Sequence, residues 1–147
     1  MIRLRRLRKD KAIRDLLSET ELRVKDLIMP YFVVEGRRKA SPIESMPGIS
    51  SLSIDNLIED IKEAKNLGLK AVLLFGVSTK KDIYGTEAYY KDGIVQKAIK
   101  AIKKDVKDLI IITDVCLCGY TSHGHCGIVK AQSAKRKAQN YVIDNDE

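Results

Sequence analysis

Three short apolar runs, separated by two amphipathic stretches, set the strongest limit on what this chain can fold into. The runs are Leu27-Ile28-Met29-Pro30-Tyr31-Phe32-Val33-Val34, Ala71-Val72-Leu73-Leu74-Phe75-Gly76 and Leu109-Ile110-Ile111-Ile112-Thr113-Asp114-Val115. Their length and their β-branched and aromatic content favour strands over helices. Between the first two, Leu57, Ile58, Ile61, Ala64 and Leu67 recur at helical spacing, with Ser53 as a capping residue before them and Gly68 as a stop after them. Between the second and third, Val95, Ala98, Ile99 and Ile102 mark a helix from about Ile94 to Lys104. Strand, helix, strand, helix, strand implies an α/β fold with parallel pairing through crossovers, and strands buried on both faces. An open doubly wound sheet and a (β/α)8 barrel both meet that pattern. No glycine-rich phosphate fingerprint follows the first strand, which speaks against a dinucleotide site.

The remaining segments read more simply. Residues 1–26 form a charged arm in which Leu4, Leu7, Ile13, Leu16 and Leu17 keep helix-like spacing. Pro30 should stand at the beginning of its strand, since it cannot donate to a ladder. Arg37 to Gly48 and Val77 to Gly93 read as loops, punctuated by Pro42, Pro47-Gly48, Gly85 and Gly93.

Composition narrows the classes of function. The 147 residues are 44% apolar and 32% charged, enough for one core and unlike a disordered chain. No apolar run could span a bilayer, and no apolar segment follows the basic start, so the expected compartment is the cytoplasm. The net charge of +7 gathers in Arg3, Arg5, Arg6, Arg8, Lys9 and Lys11, and again in Lys130, Lys135, Arg136 and Lys137. A basic nucleic-acid-binding fragment is one reading of these patches. Two Phe and no Trp offer a poor base-stacking platform, and no recognition motif accompanies the charge, so no nucleic-acid or membrane partner is expected.

All three cysteines lie between Cys116 and Cys126, directly after the third apolar run. An odd, clustered set is unlike a disulfide framework and points to metal or thiol chemistry. In α/β folds function collects where strands end and loops begin, which is where this cluster starts. Cys116 and Cys118, two apart, would share a face in extended chain. Gly119, Gly124 and Gly127 would let the loop return Cys126 to them. Three thiolates would leave a fourth zinc position open, whereas His123 or His125 as fourth ligand would close the site into a structural one. Buried cysteines without metal are a third reading.

The segment Asp114-Val115-Cys116-Leu117-Cys118-Gly119-Tyr120-Thr121-Ser122-His123-Gly124-His125-Cys126-Gly127 resembles the zinc loop of the delta-aminolevulinic acid dehydratase (porphobilinogen synthase) family. Collinear segments carry the resemblance through residues 1–129: Arg5-Arg6-Leu7-Arg8, Asp26 to Val33 with Glu35-Gly36, Ser45-Met46-Pro47-Gly48, Lys81-Asp82 with Gly85-Thr86-Glu87-Ala88, and Gly93 to Ile99. The resemblance implies the first three strands of a (β/α)8 barrel over residues 27–147. It also implies an arm, residues 1–26, that wraps a neighbouring subunit in a homo-octamer. The implied activity is a lyase of heme and tetrapyrrole biosynthesis that condenses two 5-aminolevulinate molecules to porphobilinogen with loss of two waters. It makes Cys116, Cys118 and Cys126 the ligands of one Zn2+ per active site. Asp114 would position a substrate amine or a water, and His125 would lie behind the ligands or near substrate.

The chain also departs from the family pattern. Gly119 stands where the family often has Pro, and residues 130–142 diverge, while Asp144-Asn145-Asp146-Glu147 has the composition of a helix start. A complete barrel needs about 250 residues. The Schiff-base lysines and the Mg2+ site that the resemblance implies fall outside the matched positions. The 147-residue chain is therefore expected to be an N-terminal portion, inactive alone, with an unpaired last strand edge and a tendency to aggregate. A non-catalytic zinc-binding or subunit-interaction fragment is the alternative.

Overall fold

A computed structural model describes residues 5–131 and 141–144, with side chains described through Gly127. The three apolar runs become β1 (Ile28–Val34), and, after two short strands β2 (Ala40–Pro42) and β3 (Ser50–Leu52), β4 (Ala71–Val77) and β5 (Ile110–Thr113). A short helix α1 (Lys11–Leu16) precedes the sheet, α2 (Ile54–Asn66) links β3 to β4, and α3 (Ile94–Asp105) links β4 to β5. The five strands lie in the order β2-β3-β1-β4-β5, parallel except for the β2–β3 pair. The long strands β1, β4 and β5 therefore stand side by side in chain order. Both crossover helices, α2 and α3, pack on the same face of the sheet, the pattern of a barrel wall, whereas a doubly wound sheet carries helices on both faces.

Helices α2 and α3 cover one face of this sheet. Tyr31 and Val33 of β1, Val72 and Leu74 of β4, Leu57 and Ile61 of α2, and Ile94, Ala98 and Ile102 of α3 form its buried core. Alternation sends Phe32 and Phe75 to the other face, where register partners stack with ring centroids 5.2 Å apart. Burial on both faces, expected from the uniformly apolar runs, is therefore not observed: Leu73 and Phe75 are half-buried, and Ile28 and Ile110 are exposed. The helices form a layer over one face, and the described residues put no second layer over the other.

Several local expectations change for physical reasons. Ser53 is the N-cap of α2, but its hydroxyl accepts from Lys39 N–H at 2.9 Å and donates to Asp55, bonding no free helix N–H. It ties the helix start to Lys39, the residue ahead of β2. Leu67 is the C-cap of α2 and faces solvent, one position past the last inward turn, while Gly68 takes the left-handed conformation expected of it, with φ +103°. Pro30 lies third in β1, at a level where β3 has not yet joined, so its missing N–H breaks no ladder on that side. The polar Val77–Gly93 loop contains a helical turn, Thr86–Ala88. Asp144 does not open a helix: it ends β7 (Tyr141–Asp144), which pairs antiparallel with β6 (Ile128–Ala131). Within the divergent 130–142 stretch, residues 132–140 lie outside the described residues, as do Leu4 of the arm and 145–147 of the supposed helix start.

Candidate metal centre

The site begins where the β4–β5 ladder ends. Asp114 N–H reaches Leu74 O at 3.4 Å, the last rung, and the chain then turns away from the sheet. Residues Leu117 to Tyr120 form a turn closed by Tyr120 N–H and Thr121 N–H, which donate to Leu117 O at 2.8 and 3.0 Å. Cys116 and Cys118 converge because this turn bends them together, not because they share the face of an extended strand. Gly124 and Gly127, with φ of +77° and +106°, then bring Cys126 back. Gly119 does not adopt a positive φ, and a side-chain carbon there would find its nearest neighbour, Gly76 O, at 3.9 Å. Its expected part in the turn is thus not a glycine requirement.

Cys126 Sγ lies 3.6 Å from Cys116 Sγ and 3.3 Å from Cys118 Sγ, and all three sulfurs fall within 4.8 Å of one another. Three sulfurs on a tetrahedral zinc, each with a bond of about 2.3 Å, are spaced by about 3.8 Å. The set therefore fits one such ion with small adjustment. Without a cation the sulfurs constrain one another's charge. The Cys118 thiol and Leu117 N–H, the latter 3.2 Å away, favour the thiolate at Cys126 and lower its pKa to about 7. The neighbouring sulfurs of Cys126 and Cys116 push Cys118 up to about 11. A divalent cation would favour the thiolate form of such closely spaced sulfurs.

Neither imidazole joins the sulfurs. His123 lies with Nε2 3.4 Å from Ile83 O, and its Nδ1 accepts from His125 N–H at 3.3 Å. The two rings stack loosely with centroids 6.2 Å apart. Among the described residues, the group able to hold a metal consists of the three cysteines alone. Asp114 is exposed and lines, with Cys116 and Cys126, a cleft of about 740 Å3 whose walls include Phe75, Val95, Ile99 and Tyr120. His125 is exposed and stands outside that lining.

Sequence reasoning assigned no supporting role to Tyr120, Gly76 or Asp82. Tyr120 places its ring against β4, and its hydroxyl lies where a side chain on Gly76 would come within 2.2 Å. Burial first, then the charge of Asp114, raises its pKa. Asp82 binds the β4–α3 loop to the cysteine loop. Its main chain bridges Thr121 through Ser122 N–H at 2.8 Å and Tyr120 O at 3.4 Å. Its carboxylate caps the Tyr84 and Thr86 N–H groups, and Thr86, by its hydroxyl first, holds that carboxyl below the ordinary range. A glycine inside an apolar strand run, as at Gly76, was the available signal of close approach.

Comparison with known proteins decides the lineage. The family profile described as Delta-aminolevulinic acid dehydratase matches residues 1–147. The chain belongs to the delta-aminolevulinic acid dehydratase family. It is 54% identical over 145 residues to the delta-aminolevulinic acid dehydratase of Methanothermus sociabilis, covering 99% of this chain and 42% of that protein. It is 46% identical over 144 residues to the dehydratase of Staphylococcus epidermidis, with 98% and 42% covered. A crystal structure of the dehydratase (porphobilinogen synthase) from Toxoplasma gondii ME49, in complex with the reaction product porphobilinogen, superposes with a TM-score of 0.83 at 39% identity, over 92% of this chain and 39% of that one. The chain thus spans about two fifths of the length of these dehydratases. The resemblance read from the zinc-loop motif is borne out, and so is the α/β class with a barrel-like order of strands.

Proposed function

We propose that the protein to which this chain belongs condenses two 5-aminolevulinate molecules to porphobilinogen with loss of two waters, a lyase step of heme and tetrapyrrole synthesis, with Cys116, Cys118 and Cys126 holding one Zn2+. The observation that carries this reading is the convergence of three sulfurs within 4.8 Å at the edge of a cleft that also presents Asp114. The product held by the Toxoplasma gondii relative supports the same product here.

A zinc ion held by Cys116, Cys118 and Cys126 would supply a mild Lewis acid for a substrate oxygen. The chain's own groups do the rest that this part of the protein contributes. Asp114, through its carboxyl oxygens, orients a substrate ammonium or a water at the end of β5. Phe75, Val95, Ile99 and Tyr120 wall the cleft with apolar surface and keep water from its floor. His125, next to Cys126 in the chain but outside the cleft lining, would act behind the sulfurs through its main chain, whose carbonyl accepts from the Thr121 hydroxyl. Schiff-base chemistry belongs to lysines beyond the matched positions, as does a Mg2+ site; no lysine of this chain is assigned that role. The same reading makes the working protein a cytoplasmic homo-oligomer, an octamer by family likeness. Residues 1–26 would then be an arm that packs on a neighbour, and 27–147 the N-terminal part of a barrel domain. Residues 5–26 support the arm, since none of them is buried in this chain. Among the described residues no helix is long and apolar enough to cross a membrane.

The test is Cys118→Ser in the full-length protein. Bound zinc per subunit should fall sharply, and porphobilinogen formation with it. Unchanged zinc stoichiometry would remove the three-thiolate site from consideration.

A further inference from the structure

Thr121 stands apart from its surroundings. It is 2% exposed, while Ser122, Gly124, His125 and Cys126 on the same loop are exposed. Its hydroxyl donates to His125 O at 2.9 Å, and its N–H donates to Leu117 O at 3.0 Å. Leu117 lies between Cys116 and Cys118, and His125 immediately precedes Cys126. One residue therefore grips both the paired cysteines and the returning one. Thr121 is itself held from behind. Asp82 bridges it main chain to main chain, and a side-chain carbon on Gly85 would come within 3.3 Å of its methyl group.

We propose that Thr121 is a positioning residue for Cys126: its hydroxyl bond to the His125 carbonyl sets where the third sulfur lies relative to the other two. The inference rests on the three-thiolate reading and deepens it. Cys126 sits on an exposed segment between two glycines in left-handed conformation, a backbone with wide freedom when unrestrained. Ordering such a segment at the moment of metal binding weakens affinity by the entropy lost. A hydroxyl bond formed beforehand removes part of that cost and leaves the sulfur spacing close to what one ion requires. Groups that orient metal ligands without touching the metal typically change affinity by about 10- to 100-fold when removed.

The experiment uses the full-length protein, stripped of metal and reloaded. Zinc affinity is measured by competition with a chromophoric chelator, and sulfur geometry by the thiolate-to-cobalt charge-transfer absorption after Co2+ is added. Thr121→Val removes the hydroxyl at nearly constant volume, and Thr121→Ser keeps it. The expected result is zinc binding weakened about tenfold or more in the valine variant, with a diminished cobalt band, and affinity within about threefold of wild type in the serine variant. If the valine variant does not fold, Thr121→Ala is judged by the same criteria. Wild-type affinity in the variant lacking the hydroxyl overturns the proposal. So does equal loss in the serine variant, which would place the effect in methyl packing against Gly85. Cys126→Ser is the control for the underlying reading. If it binds zinc as wild type does, or if the wild type binds none, the three-thiolate site itself fails. A Thr121 result against the proposal with an intact Cys126 effect sinks the positioning role alone.

Discussion

At the scale of single residues, two side chains show how polar groups act in this fold. Tyr31 is 3% exposed on β1, and among the described residues its hydroxyl has no partner in hydrogen-bond geometry, the Asp60 carboxylate standing near it without completing a bond. Burial above all, with Asp60 and Glu63 of α2 adding to it, raises its pKa, so it stays neutral throughout the working range. A buried donor without a partner carries its full desolvation penalty. Tyr31→Phe is therefore expected to leave stability unchanged or raise it by about 1 kcal/mol, read from the urea midpoint; a clear loss would mean the hydroxyl is satisfied in solution. Asp55 is the opposite case. The Ser53 hydroxyl first, then Arg38 N–H, favour its charged form and lower its pKa from the ordinary 3.8. A folded-state pKa below the unfolded one stabilises fully above the unfolded value and ceases to do so as pH falls through the folded value. The gap in urea midpoint between wild type and Asp55→Asn should thus be constant near neutrality and close below pH 3.8. A gap that persists there would assign the effect to something other than ionisation.

At the scale of elements, the cysteine loop is positioned by what it leans on. The end of β4 carries Gly76, and the space a side chain would fill is taken by the Tyr120 hydroxyl at 2.2 Å and Val95 Cγ2 at 2.7 Å. Neither neighbour can withdraw cheaply, because Val95 belongs to α3 and Tyr120 closes the turn of the cysteine loop. Gly76→Ala is expected to destabilise the chain by roughly 1–3 kcal/mol, the usual range for overpacking, and to weaken zinc binding through displacement of Tyr120. Thermal unfolding and chelator competition measure the two effects. Wild-type behaviour in both would show that the loop does not depend on this contact. The β1, α2, β4, α3 and β5 segments were legible from sequence because apolar spacing reports directly on which face an element buries. The short strands β2 and β3 were not. Ala40–Pro42 is wholly exposed, and three residues are too few to show a period.

At the scale of the whole molecule, the sheet ends in β5, a parallel strand whose outer edge has no partner among the described residues. Ile110 on that strand is 62% exposed, and Val115 just beyond it is 98% exposed. An open edge with apolar side chains is a template for pairing with other chains. The 147-residue polypeptide is expected to self-associate with rising concentration, and Ile110→Lys to reduce that association, followed by light scattering. Equal scattering by wild type and variant would place the sticky surface elsewhere. The effect belongs to this scale because neither residue is unusual in itself. Each is exposed by what the sheet lacks beside it.

The amino-acid sequence by itself determined the α/β class, the identity of the three long strands and two covering helices, the family, and the three sulfurs as the group to watch. Each is written in local order: apolar periodicity, capping residues, and a dense run of Cys, His and Gly whose spacing survives translation into loop geometry. Tertiary structure decided which neighbours the loop uses. Asp82, Gly85 and Gly76 lie 41 to 50 residues before Cys126 in the chain, and only the side-by-side packing of β4 and β5 brings their loops together. It also decided that the imidazoles stand aside from the sulfurs, since His123 is held by the Ile83 carbonyl across that same boundary. Spacing along a chain states which groups can meet. Packing of elements distant in sequence settles which of them do, because a hydrogen bond or a steric contact acts over a few ångströms of space without regard to the length of chain between its partners.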